Sequence, residues 1–345
     1  MAPGVELQVA IAAHRSQRWP VAAPRVSEPY RRVPPALAVP GARQGQEAPS
    51  GTGTGESGPP RRRRIGILCF QQTHHRCYRN FLDEREAGTT RGLPLDSLPE
   101  RGREPLRIAI ISDIHGNREA LEAVLEKIDA LDCDRIDCLG DIVGYGPDPG
   151  HCVDTVRERC ERVVAGNHEH AVLGLIDTGY FNPHARKGTV WTRDHVDQGQ
   201  KEYLASLALV EGDSGCTLVH GTLDSPDLFD YVQTSWDAQL TFQKMETPFC
   251  FIGHSHVPVA FLLEEAIRYS TDATIDVGES AQGIINVGSV GQPRDGNPES
   301  CFVIYDPDAR RSERHRVPYD IAATQAKILE AGLPEFLAER LSVGR

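Results

Sequence analysis

Arg107-Ile-Ala-Ile-Ile-Ser112 runs directly into Asp113-Ile114-His115: a short apolar, β-branched stretch stopped by two residue types that bind hard or borderline divalent cations. The same pattern recurs downstream. Arg135 to Leu139 runs into Gly140-Asp141, and Glu161 to Ala165 into Gly166-Asn167-His168-Glu169. Cys216 to Val219 leads to His220-Gly221, and Pro248 to Ile252 to Gly253-His254-Ser255-His256. Such runs, ended by Gly or Asp, read as buried strands. Open α/β sheets gather ligands at strand carboxyl ends, which predicts chemistry along one sheet edge.

Between these strands the pattern alternates with helices. Asn117 can cap a helix carrying Leu121, Val124, Leu125, Ile128 and Leu131 at helical spacing. A second helix is expected over Pro149 to Arg159, and Ser235 can cap a short one through Met245. Residues 182–210 break the rhythm with two helices, expected as a small helical cap or insertion beside the site. Gly283 to Val287 reads as a further strand, Ser300 to Tyr305 and Ser312 to Val317 as a hairpin, and Ile321 to Leu341 as a helix interrupted at Gly332-Leu333-Pro334. Helices flanking a mixed sheet give a layered α/β sandwich.

The two parts of the 345-residue chain differ in charge. Residues 1–104 hold 16 Arg, no Lys and 10 acids, a balance of +6; the whole chain is −12, so residues 105–345 carry −18. The first part is rich in Pro, Gly, Ser and Arg and poor in apolar periodicity, so it is expected to be a disordered leader. Met occurs only at Met1 and Met245, and one expectation is that the native product begins near residue 105. Arg61-Arg-Arg-Arg64 reads as an unstructured charge run rather than a nucleic-acid patch, and His74-His75 with Cys77 lacks a second ligand pair for zinc. Nine cysteines without a Cys-x-x-Cys pair fit a reducing, cytoplasmic setting. No apolar stretch approaches the ~18 to 20 residues of a membrane helix.

Each motif alone is weak, but five in one chain, each at a strand end, are not a chance assembly. Together they resemble the calcineurin-like metallophosphoesterases, whose pattern Asp-x-His, Gly-Asp, Gly-Asn-His, His-Gly, Gly-His-x-His is matched by Asp113/His115, Asp141, Asn167/His168, His220 and His254/His256. The resemblance covers residues 106 to about 340. It implies an α-β-β-α sandwich of mixed sheets. Asp113, His115 and His256 would hold one metal, Asn167, His220 and His254 the other, and the Asp141 carboxylate both. Strand alternation also predicts that Asp113 and His115, two apart, point to one side. A twist at the strand end would let His254 and His256 serve different ions. Mixed N and O donors suit Mn, Fe, Zn, Ni or Co.

With a bridging hydroxide such a site keeps roughly one positive charge, which attracts an anion. The expected reaction is in-line hydrolysis of a phosphate mono- or diester, with His168 protonating the leaving group. Glu169 would orient His168 or be solvated. Asn117, Arg294 and Tyr145 are substrate-side candidates, and His151, His170, His184 and His195 read as structural or exposed. The strongly acidic domain disfavours long nucleic acids and favours a small phosphate ester or a phosphoprotein site. An Asp-Arg pair, found after Gly-Asp in protein phosphatases and dinucleotide tetraphosphatases of the superfamily, is replaced by Asp141-Ile-Val-Gly144-Tyr145-Gly146. The chain is more similar to the small bacterial phosphodiesterases and phosphatases. A non-catalytic scaffold on the same fold is the alternative reading, though such proteins lose ligands that are all present here.

Overall fold

The computed structural model describes residues 106–213, 215–279 and 281–345. The expectations for the leader, including Arg61 to Arg64 and the His74-His75 pair, lie outside these residues. The described strands are β1 (Ile108–Ile111), β2 (Arg135–Cys138), β3 (Arg162–Val163), β4 (Val210–Gly212), β5 (Cys216–Val219), β6 (Phe249–Ile252), β7 (Val259–Leu263), β8 (Ile267–Ser270), β9 (Thr274–Asp276), β10 (Gln282–Asn286), β11 (Ser300–Asp306) and β12 (Arg311–Val317). The helices are α1 (Arg118–Asp129), α2 (Pro149–Arg159), α3 (Asn167–Leu173), α4 (Pro183–Arg193), α5 (Gln198–Ser206), α6 (Ser235–Phe242), α7 (Ile321–Glu330) and α8 (Glu335–Glu339).

Two mixed sheets form, in the orders β3-β2-β1-β11-β12-β9 and β4-β5-β6-β10-β7-β8. Each contains a parallel triplet, β3-β2-β1 in the first and β5-β6-β10 in the second, flanked by antiparallel strands. Period-two alternation sorts the side chains into layers. Ile108 and Ile110 of β1 meet Phe249 and Phe251 of β6 between the sheets, whereas Ala109 and Ile111 pack with Leu121, Val124 and Val153 of α1 and α2. On the far side, Cys250 and Ile252 pack on Ala238 and Phe242 of α6. β1 and β6, covered on both faces, are apolar at every position, which is why the sequence shows continuous runs there.

Several expectations are corrected. Strand ends from both sheets meet at the site, rather than one sheet edge, because the two parallel triplets are packed face to face. β3 is only two residues long. Thr234, not Ser235, caps α6, accepting from Asp237 N while the Asp237 carboxylate accepts from Thr234 N. Residues 182–210 hold the two expected helices, α4 and α5, but α5 is packed into the fold rather than capping the site: its Gln200 donates to Gly150 O and Asp154, and Leu204 joins the core beneath α2. No described helix is long and apolar enough to cross a membrane.

Candidate metal centre

The carboxyl ends of the parallel strands converge. Coordinating atoms of Asp113, His115, Asp141 and His256 lie within 4.8 Å of one another, as do those of Asp141, His220 and His254. Asp141 belongs to both groups, and the His254/His256 pair divides between them. Asp113, His115 and Asp141 leave the first sheet; His220, His254 and His256 leave the second. All six are buried.

Hydrogen bonds fix what each side chain presents. His115 Nδ1 lies 3.0 Å from Val143 O, His256 Nδ1 2.6 Å from Gln292 O and His220 Nδ1 2.7 Å from Leu139 O. A carbonyl only accepts, so each Nδ1 carries a proton, and the neutral His115 and His256 rings turn a lone pair outward at Nε2. His115 Nε2 and His256 Nε2 then confront one another at 3.1 Å with no proton between them. Burial holds both rings below their ordinary pKa, His115 far below, so a proton is a poor bridge there. A divalent cation suits the same pair. The carboxylates behave alike: Asp113 Oδ2 accepts from His254 N at 3.0 Å and Asp141 Oδ1 from His168 N at 2.9 Å. Their second oxygens face the imidazoles, His256 Nε2 lying 3.2 Å from Asp113 Oδ1 and His220 Nε2 3.3 Å from Asp141 Oδ2. Asp113 Oδ1 and Asn167 Oδ1 are buried without a hydrogen-bond partner. Orphaned oxygens beside unprotonated nitrogens are the donor set a Mn-, Fe-, Zn-, Ni- or Co-type ion takes.

The backbone around the site is unusual. Asp113 (φ 54°), His115 (54°), Asp141 (50°), His254 (65°) and His256 (59°) are all left-handed, a conformation costing non-glycine residues roughly 1–2 kcal/mol each. Asp113 and His115 therefore converge through two left-handed turns after β1 has ended, not through strand alternation. Backbone bonds hold the turns: Asp113 N donates to Gly140 O at 3.0 Å, His115 N to Asp141 O at 2.9 Å and Gly291 N to Asp113 O at 2.9 Å.

Glu169, given only a loose role by the sequence, proves central. It is fully buried, with Oε2 accepting from Asp141 N (2.8 Å) and Gly166 N (2.7 Å) and Oε1 from Ile142 N (2.9 Å) and Val143 N (3.3 Å). It thereby ties the Gly-Asp turn to the Gly-Asn-His turn and does not orient His168. Burial and the Asp141 carboxylate push its pKa up to about 7, against the pull of its N–H donors. The signal in the sequence was its place three residues after Gly166, a capping-box spacing.

His168 packs among Tyr145, His115 and Phe181, with ring centroids 4.6, 4.8 and 5.2 Å away. Its Nδ1 is enclosed without a partner, 2.1 Å from where a Cβ on Gly144 would stand; Gly144 has φ +87°, so glycine is required there twice over. Burial outweighs the pull of Asp141 and, with Arg294, brings His168 down to about 4. The resting ring is neutral, not the imidazolium that leaving-group protonation calls for. For His220, burial is outweighed by the Asp141 and Asp113 carboxylates, which lift it to about 9.

Asn117 is engaged within the fold rather than in the cleft: its Oδ1 caps α1 at Ala120 N and accepts from Thr324 Oγ1, its Nδ2 donates to Gly291 O, and the residue is buried. Tyr145 and Arg294 do line the main cleft, a cavity of about 690 Å³ that also holds Asp141, Asn167, His168, His254 and His256. Arg294 lies with Cζ 5.7 Å from the Tyr145 ring centroid and donates to Gln292 Oε1. Arg294 arrives at this cleft from the loop after β10. The other histidines stay apart from the clusters: His184 stacks on Phe336, His195 on Trp191, His170 meets Phe229 edge-on, and His151 pairs with Glu122.

A family model described as the calcineurin-like phosphoesterase superfamily domain matches residues 106–310. An uncharacterized protein of Methanocaldococcus jannaschii is 37% identical over 243 residues, covering 69% of this chain and 98% of that protein. A solved metallophosphoesterase from Sphaerobacter thermophilus is 44% identical with a TM-score of 0.62, covering 70% of this chain and all of the other (100%). A hypothetical protein from Pyrococcus horikoshii OT3, 19% identical with a TM-score of 0.58, covers 70% of this chain and 99% of its own length and shares the fold. A family model spanning more than half of the chain, with Asp and His clusters suited to metal at its strand ends, shows that the chain belongs to the calcineurin-like phosphoesterase superfamily, hydrolases acting on phosphoester bonds.

Proposed function

We propose that this chain hydrolyses phosphate mono- or diesters with two divalent ions, one held by Asp113, His115, Asp141 and His256 and the other by Asp141, Asn167, His220 and His254. The observation carrying this reading is the pair of clusters sharing one carboxylate, with unprotonated nitrogens and orphaned oxygens turned inward. Bound ions would lower the pKa of water and offset charge developing on the phosphoryl oxygens. The protein supplies the rest. Arg294 offers a planar guanidinium to the phosphate, and Tyr145 supports it from below. His168, its Nδ1 closed off by Gly144, meets the ligand at its Nε2 edge. A bound phosphate raises its proton affinity, so the ring takes up the proton it passes to the departing oxygen. A cleft of about 690 Å³ is of the size that takes up a small ester, and unpaired described thiols support a reducing cytoplasm.

The test is hydrolysis by the metal-loaded chain of bis(p-nitrophenyl) phosphate, p-nitrophenyl phosphate, cyclic nucleotides, dinucleotide polyphosphates and phosphopeptides. Turnover lost with chelator and with Asp141→Asn is expected. Metal uptake without hydrolysis of any member would leave a non-catalytic scaffold. His168→Ala should slow esters of poor leaving groups more than nitrophenyl esters; equal losses reject the proton-donor role.

A further inference from the structure

The 690 Å³ cleft changes character from floor to mouth. At the floor are the buried clusters and Arg294, the one Lys or Arg lining the cleft among the described residues. The mouth is built by two segments, residues 176–182, before α4, and residues 227–231, before α6, whose exposed lining residues include Asp177, Tyr180, Asp227 and Tyr231. They bring flat rings, Phe181 and Tyr180 from one and Phe229 and Tyr231 from the other. Phe229 is fixed by a left-handed backbone (φ 54°) and by edge contact with His170 and His220. Tyr231 stacks on His254 at 4.0 Å. Tyr180, by contrast, is 93% exposed. An aromatic ring left open at the edge of a cleft is a stacking platform without its partner.

The charges at the mouth have the opposite sign to Arg294. Asp177 and Asp227 line it, both are exposed, and neither enters an ion pair among the described residues. A ligand whose phosphate reaches the floor passes its remaining bulk between the rings and these carboxylates. A second anionic group would lie against them with no cation to offset it.

Resting on the phosphoesterase reading above, we infer that the substrate joins a single phosphoryl group to a flat aromatic group, and that Asp177 and Asp227 turn away esters bearing a second anion. Selection is by attraction at the rings and by repulsion at the rim.

The test uses the metal-loaded full chain and three probes: methyl phosphate, thymidine 5′-monophosphate and thymidine 3′,5′-bisphosphate. Each is measured as an inhibitor of whichever nitrophenyl ester is hydrolysed, and by calorimetry. The monophosphate should bind about tenfold more tightly than methyl phosphate, the scale of one base stacking on an aromatic residue. The bisphosphate should bind at least about fivefold more weakly than the monophosphate. Tyr180→Ala should erase most of the aromatic advantage and leave methyl phosphate unchanged. The double variant Asp177→Asn with Asp227→Asn should admit the bisphosphate. Equal affinity for methyl phosphate and the monophosphate, or tighter binding of the bisphosphate by the unaltered chain, overturns the inference while hydrolysis persists. Absence of both hydrolysis and phosphate binding would remove the phosphoesterase reading itself.

Discussion

Glu169→Gln is the most informative single change. The Glu169 carboxylate accepts four backbone N–H groups, two on each oxygen, from Asp141, Gly166, Ile142 and Val143. Glutamine keeps one acceptor oxygen and puts an NH₂ where the other was, so two buried N–H donors lose their partner and face a donor instead. At about 1–3 kcal/mol per stranded group the cost is roughly 2–6 kcal/mol, a large part of the ~5–15 kcal/mol that holds a domain together. The same carboxylate sets the spacing of Asp141 and Asn167, so metal affinity should fall by about 10- to 100-fold. Urea unfolding with and without metal, paired with metal titration, reads both effects. A Gln variant with the parent's midpoint and affinity would show that those N–H groups find other acceptors, and the bracing role would be withdrawn.

Gly144→Ala should lower turnover more than tenfold while metal content holds, because the new Cβ stands 2.1 Å from His168 Nδ1; elemental analysis beside a rate measurement checks this, and an unimpaired rate would contradict the packing. Asp141→Asn should empty both clusters and lower the melting temperature of the metal-treated chain, since ions bind only the folded form; full metal content by elemental analysis would overturn the shared-carboxylate reading. In the metal-free chain His115, His168, His254 and His256 all titrate below their ordinary 6.5, His168 at about 4 and His254 at about 3. As pH falls from 6.5 towards 4 the unfolded chain binds protons that these buried rings refuse, so stability should drop. Glu169, lifted from 4.5 to about 7, and His220, lifted from 6.5 to about 9, act in the opposite sense, each contribution being present at acid pH and lost as pH rises through its folded value; that of His220 is almost complete by pH 6.5, so below it the four lowered rings outweigh Glu169 and a net loss on acidification is expected. Denaturant midpoints across that range measure it, and a midpoint rising towards pH 4 would refute the assignment.

The motif-bearing strands were legible because burial on both faces writes itself as an apolar run, and because Gly or Asp marks where each run stops. β4 was not, since Val210-Glu211-Gly212 is short, exposed and without alternation. β7 carries a plain apolar run, Val-Ala-Phe-Leu-Leu, and was legible in principle; it stood in the shadow of the His-x-His pair just before it. Which residues gather at the site could be read from residue type and strand-end position. Their backbone could not, because Asp and His do not announce a left-handed conformation as glycine does. Asn117 misled because its partners, Gly291 and Thr324, are distant in sequence. Arg294 and Tyr145 were visible as residue types near strand ends, but their meeting is a fact of tertiary structure.

The division of the clusters between the two sheets has a mechanical meaning. Three of the clustered side chains ride on one β-layer and three on the other, with Asp141 from the first layer common to both groups. Any cation seated there acts as a rivet through two plates, resisting their sliding as well as polarising a ligand. Loss of the ion would loosen the whole laminate, so the chain's rigidity and its chemistry draw on the same few atoms.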